Sequence, residues 1–175
     1  MEFSNIKVVV VDCDGVLTDG IYQIGEKGHI SKSFYTRDFY GIEQLMRNDI
    51  KVCIITQSHD QVAYNQVMRI CDHSIFWNDC YENGMLSLMT EVKNKESAIT
   101  DNLFEEELTW ENIAYIGDAE NDFESMKKVL ISVCPSDAIF EIKEVASYPS
   151  DYPGGKGVVY DFCMYLLRSR KEERR

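Results

Sequence analysis

Residues Val8 to Gly20 read VVVVDCDGVLTDG, four consecutive valines running into Asp12, Cys13, Asp14 and Gly15. A β-branched run without polar alternation is the pattern of a strand buried on both faces of a parallel sheet. Its exit sets two carboxylates one residue apart beside the chain's most apolar segment, where like charges repel. One reading is a strand end followed by an Asp-Gly turn. The other is a site that uses both acids, and choosing between them needs the rest of the chain.

Similar β-branched runs recur. Ile6 to Val11, Lys51 to Thr56, Ile113 to Gly117 and Leu130 to Val133 all read as buried strands. Between them, apolar residues fall at helical spacing over Gly41 to Arg47, Asp60 to Ile70, Asn121 to Val129 and Gly157 to Arg168. Ser58 or Asp60 suits the cap of the second of these helices and Asp118 that of the third. Strands alternating with helices make βαβ units, so the expected fold is α/β, a Rossmann-like three-layer sandwich around a central, mostly parallel sheet. Gly20 to Tyr35 differs: IYQIGEKGHISKSFY has two short β-like arms around Gly-Glu-Lys-Gly and predicts a protruding β-hairpin flap. No repeat, low-complexity tract or linker divides the chain, and one domain over 1–175 is expected, with a loose, solvated tail at about 168–175.

Composition narrows the function classes. The 175 residues are 45% hydrophobic and 27% charged, which is ordinary for a globular domain. A net charge of −12 disfavours nucleic acid, whose binding runs on Lys and Arg releasing counterions. No stretch reaches the ~18 to 20 apolar residues of a membrane span, and MEFSNIKVVVV lacks a signal-peptide pattern, so a cytoplasmic protein without a membrane partner is expected. The six cysteines form no C-x-x-C pair and mostly sit in apolar runs, as reduced core fillers do.

In open parallel sheets, ligands bind beyond the carboxyl ends of the strands. The first predicted strand ends in Asp12 and Asp14, the second in Thr56, and the third in Gly117-Asp118 followed by Asp122; Lys95, at the start of the helical stretch KESAI, can reach the same rim. Taken alone, Asp118 and Asp122 also suit a helix cap and first turn, Thr56 a plain strand end, and Lys95 or its neighbour Lys93 a solvated surface. Together, acids on separate strand ends call for a cation, because capping requires no matching acids on another strand. Oxygen donors favour Mg²⁺. An EF-hand fails on spacing, since Val16 and Gln23 stand at the fifth and twelfth positions counted from Asp12. His29, His59 and His73 match no zinc pattern. Cysteine phosphatase chemistry is excluded too, as no cysteine has an arginine six positions on.

With these residues in view, DCDGVLT, Thr56 after KVCII, Lys95 and GDAEND resemble, in order, the four motifs of the haloacid dehalogenase superfamily of phosphohydrolases. Within it, DGVLTDG, the hairpin, FYTRDFYGI and GGKGVVYDF resemble the 3-deoxy-D-manno-octulosonate 8-phosphate phosphatases and their sialic-acid-phosphate relatives. The resemblance implies Asp12 as nucleophile forming an aspartyl-phosphate, and Asp14 as general acid, then base. It implies Mg²⁺ held by Asp12, Asp118 and the Asp14 carbonyl, with Asp122 orienting or completing the shell. Thr56 and Lys95 would bind the transferring phosphoryl group. The substrate it implies is a phosphorylated 3-deoxy sugar acid of eight or nine carbons.

The intervals between these motifs leave no room for a separate cap domain, so something else must cover the site. The family pattern implies a homotetramer in which hairpins pack together and a neighbour's glycine-rich segment, here Gly154 to Gly157 with Lys156, covers the pocket. Arg37 and Asp38 match an Arg-Asp pair that reaches substrate; a helix-start salt bridge would explain them equally, as a flexible turn would the glycines. The chain departs from the pattern at Gln57-Ser58, at Phe39 and in a long segment over 77–92. A rival from another class is a non-catalytic oligomerisation module like those of sialic acid cytidylyltransferases. Retention of Asp14 argues for an enzyme.

Overall fold

The structure, a computed structural model, describes residues 3–103 and 108–174; Met1, Glu2 and Arg175, the last residue of the expected tail, lie outside the described residues. In chain order the elements are β1 (Val8–Asp12), the hairpin strands β2 (Gln23–Ile24) and β3 (Ile30–Ser31), α1 (Thr36–Met46), β4 (Lys51–Ile55), α2 (Val62–His73) and α3 (Ile75–Glu82). There follow β5 (Leu86–Met89), α4 (Lys95–Leu103), β6 (Ile113–Ile116), α5 (Phe123–Met126), β7 (Ile131–Cys134), α6 (Phe140–Val145), β8 (Tyr148–Pro149) and α7 (Val158–Glu173).

Six strands form one sheet in the order β5-β4-β1-β6-β7-β8, with every described pairing parallel. The unalternating apolar runs find their reason in the two covered faces. Val9, Val11, Val52, Ile54, Ala114 and Ile116 join a core with residues of α1, α2, α3 and α7. Val8, Val10, Cys53, Ile55, Ile113 and Tyr115 point the other way, onto α4, α5 and α6. Full burial of one such aliphatic side chain is worth about 1.5 to 3 kcal/mol, so two apolar faces per strand outweigh any local preference. All six cysteines are buried and unpaired.

β1 is central, and from it the chain winds outward to β4 and β5 before crossing back to β6 on the other side. That reversal opens a crevice at the carboxyl ends of β1 and β6. Register aligns the ends: Asp12 pairs with Ile55, just before Thr56, and Val11 pairs with Ile116, just before Gly117-Asp118.

Several boundaries differ from the sequence reading. α1 begins at Thr36 rather than Gly41. The long segment over 77–92 holds most of α3 and then β5, the edge strand beside β4. The third predicted helix shrinks to a tight turn, Glu120–Asp122, and the single turn of α5. Asp118 does not cap it; Asp122 reaches back and accepts from Asp118 N (3.0 Å) and Ala119 N (3.1 Å). Over 168–173 the expected loose tail is helix instead. α7 runs on through Glu173, whose carboxylate accepts from Phe3 N (2.8 Å) and Ser4 N (2.9 Å), and the largely buried Arg170 donates to the Ile6 carbonyl (3.2 Å). No described helix is long and apolar enough to cross a membrane.

Candidate active site

The turn leaving β1 is closed by Thr18 N donating to Cys13 O (2.9 Å), with Gly15 at φ +87°. A Cβ at Gly15 would stand 2.1 Å from Asp118 Oδ2, so glycine is needed both for the left-handed backbone and for the acid lying across it. Gly117 plays a similar part, since a Cβ there would meet Asp122 Cγ at 2.6 Å.

Asp12 is buried, and its Oδ1 accepts from Cys13 N (2.8 Å) and lies 2.7 Å from Lys95 Nζ. Neither contact uses Oδ2. Lys95, at the first position of α4 and 2% exposed, also donates to Asp122 Oδ1 (2.7 Å), whereas Lys93 is exposed. That separates the two lysines left open by spacing. Asp122 is fully engaged: Tyr115 Oη donates to its Oδ1 (2.6 Å) and the two backbone amides to its Oδ2. A carboxylate held by four donors has its orientation determined by the protein.

One oxygen each from Asp12, Asp118 and Asp122 lie within 4.8 Å of one another. Burial, then the charge of Asp122, pushes the Asp12 carboxyl well above the usual carboxylate range, although Lys95 opposes them. The same two causes push Asp118 up to about 7. Burial draws the Lys95 ammonium down, but Asp12 and Asp122 outweigh it and the net shift is upward. Three acids against one buried ammonium leave negative charge uncompensated, and Asp118 Oδ1 is buried with no hydrogen-bond partner. An orphaned acceptor amid oxygen donors suits a hard divalent cation such as Mg²⁺.

The Asp14 carboxylate lies outside that trio. Its Oδ2 accepts from Lys32 Nζ of the flap (2.8 Å) and its Oδ1 from Thr18 Oγ1 (3.2 Å), so any share of Asp14 in a metal shell falls to its carbonyl. Thr56 is buried and its Oγ1 accepts from Ser58 N (3.0 Å). A cleft of about 690 Å³ opens over Asp12, Asp14 and Thr56, walled by Tyr22, Gln57, Ser58, His59, Ala119 and Asn121. Asn121 Nδ2 donates to Gln57 Oε1 (3.0 Å) across its rim. A second hollow of about 370 Å³ shares Asp14, Tyr22, Ser58 and His59 and extends under the flap to Ile24, Ile30, Lys32 and Asp60.

The three expected substrate contacts are not brought to this cleft. Asp38 is fully buried and accepts from Tyr160 N (2.9 Å) at the start of α7, which corrects the expectation that it reaches substrate. Among the described residues it is in no helix-start salt bridge either. Arg37 is exposed and its guanidinium sits 6.0 Å from the centre of the Tyr35 ring, and Lys156 is exposed on the turn before α7. The glycines beside Lys156 are no flexible turn: Gly155 N donates to Val16 O (2.8 Å), and a Cβ at Gly154 would fall 2.0 Å from Gly15 O. They brace their own chain's β1 turn.

Sequence reasoning missed Lys32, Tyr115 and the site role of Asp60. Tyr115 is the one polar-tipped residue in an apolar strand, which is a usable signal. Lys32 left none, because its place depends on how the flap folds over.

The haloacid dehalogenase-like hydrolase family matches residues 2–161. The 3-deoxy-D-manno-octulosonate 8-phosphate phosphatase of Escherichia coli K12 is 34% identical over 164 residues, covering 94% of this chain and 80% of that protein. The crystal structure of the Yersinia pestis phosphatase of the same name superposes with a TM-score of 0.82 at 29% identity, covering 97% of this chain and 85% of that one. The cobalt-bound Haemophilus influenzae deoxy-D-mannose-octulosonate 8-phosphate phosphatase gives 0.84 at 27%, covering 98% and 92%.

Proposed function

The chain belongs to the haloacid dehalogenase-like hydrolases, among the 3-deoxy-D-manno-octulosonate 8-phosphate phosphatases, and from that premise we propose that it is a Mg²⁺-dependent phosphomonoesterase acting on that sugar acid phosphate. The observation that carries this reading is the placing of Asp12: buried at the cleft floor, one oxygen held by Lys95 and Cys13 N, beside Asp118 and Asp122 and with Asp14 at the cleft.

Asp12 attacks phosphorus as a carboxylate, in line with the ester oxygen. The bond from phosphorus to that oxygen breaks while Asp14 gives its proton to the departing alkoxide, leaving free sugar and phosphorylated Asp12. A water then attacks the same phosphorus, Asp14 takes a proton from it, and release of inorganic phosphate restores the Asp12 carboxylate. Lys95 keeps Asp12 and Asp122 compatible in a buried site and supplies positive charge near the transferring group, and Thr56 offers its hydroxyl to a phosphoryl oxygen. Mg²⁺ would be held by Asp12, Asp118 and the Asp14 carbonyl, with Asp122 orienting them; when bound it supplies charge neutralisation for an anionic substrate. The oxygen-only donors and the cobalt bound in the Haemophilus relative support a metal there.

Exposed Ile21, Tyr22, Ile24 and Ile30 on the flap support packing of flaps between copies in a homotetramer. Arg37 and Lys156 would then meet substrate only from a neighbouring copy.

Phosphate release from 3-deoxy-D-manno-octulosonate 8-phosphate and from a nine-carbon sialic-acid-type 9-phosphate, each with and without Mg²⁺, tests the reading. The expected result is Mg²⁺-dependent release, fastest from the octulosonate ester, and a loss of at least about 10³-fold in Asp12→Asn. Faster release from the nine-carbon ester would reassign the substrate. Absence of release from every phosphate monoester would leave the oligomerisation module.

A further inference from the structure

The flap lysine is held by two acids, and the reaction above uses only one of them. Lys32 Nζ donates to Asp14 Oδ2 (2.8 Å), to Asp60 Oδ2 (2.6 Å) and, at 3.4 Å, to Ser58 Oγ. An ammonium has three N–H groups, and all three are occupied. The Lys32 side chain is only 5% exposed, so it is a buried link in the wall of the cleft and has no donor left for substrate. Burial draws its ammonium down, but the two carboxylates outweigh that and keep it charged.

Asp60 is anchored from the body of the protein. Its Oδ1 accepts from Val62 N (2.9 Å) at the start of α2, its Oδ2 also accepts from Ser58 Oγ, and Ser58 N is tied to Thr56 Oγ1. A continuous chain of hydrogen bonds thus runs from the end of β4 through Thr56, Ser58, Asp60 and Lys32 to Asp14. The flap that carries Lys32 has strands of only two residues each, too short to hold a long side chain in place unaided.

We propose that Asp60 is a positioning residue: by gripping Lys32 it ties the flap to the body and fixes the Asp14 carboxylate toward the leaving-group side of the cleft. This rests on the role given to Asp14 above, and on the geometry that one buried ammonium spans both acids. A displaced Asp14 still sits beside the cleft but no longer meets the leaving oxygen, and misplacement by about 1 Å can reduce such a step about 100-fold.

The test compares leaving groups. A sugar alkoxide needs Asp14's proton to depart, whereas p-nitrophenolate leaves without one. Single-turnover release is measured with the octulosonate phosphate and with p-nitrophenyl phosphate for wild type, Asp60→Asn and Asp60→Glu. In Asp60→Asn the sugar ester is expected to slow by roughly 10- to 100-fold, with p-nitrophenolate release slowing by no more than about threefold and Asp60→Glu recovering most of the loss. Lys32→Met carries the same expectation and serves if Asp60→Asn does not fold by its melting curve. Equal losses on both esters, or no loss on the sugar ester, would overturn the proposal. Wild type inactive on both would instead overturn the phosphatase reading.

Discussion

Asp12 and Asp38 are both buried aspartates, and what faces each one separates the proposed nucleophile from a structural group. Asp12 has an ammonium against it and a cleft above it. Asp38 meets no cation among the described residues: burial pushes its carboxyl up to about 6, and the backbone amides of Tyr160, Gly157 and Val159 only partly offset that. A carboxyl raised from 3.8 contributes stability that is fully present below about pH 4 and lost as pH rises through about 6. Asp38→Asn is therefore expected to flatten the fall in stability between pH 4 and 7 by on the order of 3 kcal/mol. Urea unfolding of both proteins at the two pH values checks this; an unchanged difference would refute it. In the sequence Asp38 is one more acid beside an arginine, because nothing local tells that its side chain ends under a helix more than a hundred residues away.

Among elements, the Gly154 to Gly157 segment shows how a turn acts on a site it does not line. Gly155, at φ +64°, lies against the Thr18-Asp19 backbone, and Gly154 N donates to Asp137 Oδ1 (2.9 Å). Gly154→Ala would drive a methyl into Gly15 O and displace the turn between Asp14 and Thr18. The expected outcome is a loss of about 2 kcal/mol or more in stability together with a fall in kcat that outlasts correction for unfolded protein, measured by thermal denaturation and assay at saturating substrate. The glycines were legible as a turn; the close approach was not, because it joins segments from opposite ends of the chain. The shortened third helix has a similar cause, since Asp122 spends its side chain on the backbone of 118 and 119 and on Tyr115 and Lys95.

At the scale of the whole molecule, the flap is an apolar surface that a single copy leaves uncovered. Ile21 and Ile24 are 68% and 67% exposed on an element with almost no core of its own. Paired flaps would bury these side chains, at about 25 cal/mol per Å² of apolar surface. Ile24→Lys is expected to shift the mass measured by light scattering from tetramer toward smaller species, and to lower kcat/KM as the cleft loses its cover. A tetramer unaffected by the change, or a wild type that is monomeric at micromolar concentration, would refute that assembly.

Composition and pattern by themselves determined the α/β layering, the central β-branched strands, the flap, and the gathering of Asp12, Thr56, Asp118 and Asp122 at one rim. Those features follow from residue type and from the rule that parallel strands present their carboxyl ends together. Only the tertiary structure decided that Lys95 rather than Lys93 faces Asp12, that Asp14 turns to Lys32 while Asp118 joins Asp12 and Asp122, that Asp38 and the glycines brace the scaffold, and that the last helix runs on through Glu173. Each of these depends on which distant groups share a few ångströms of buried space, and charge pairing and steric fit there have no counterpart in sequence spacing.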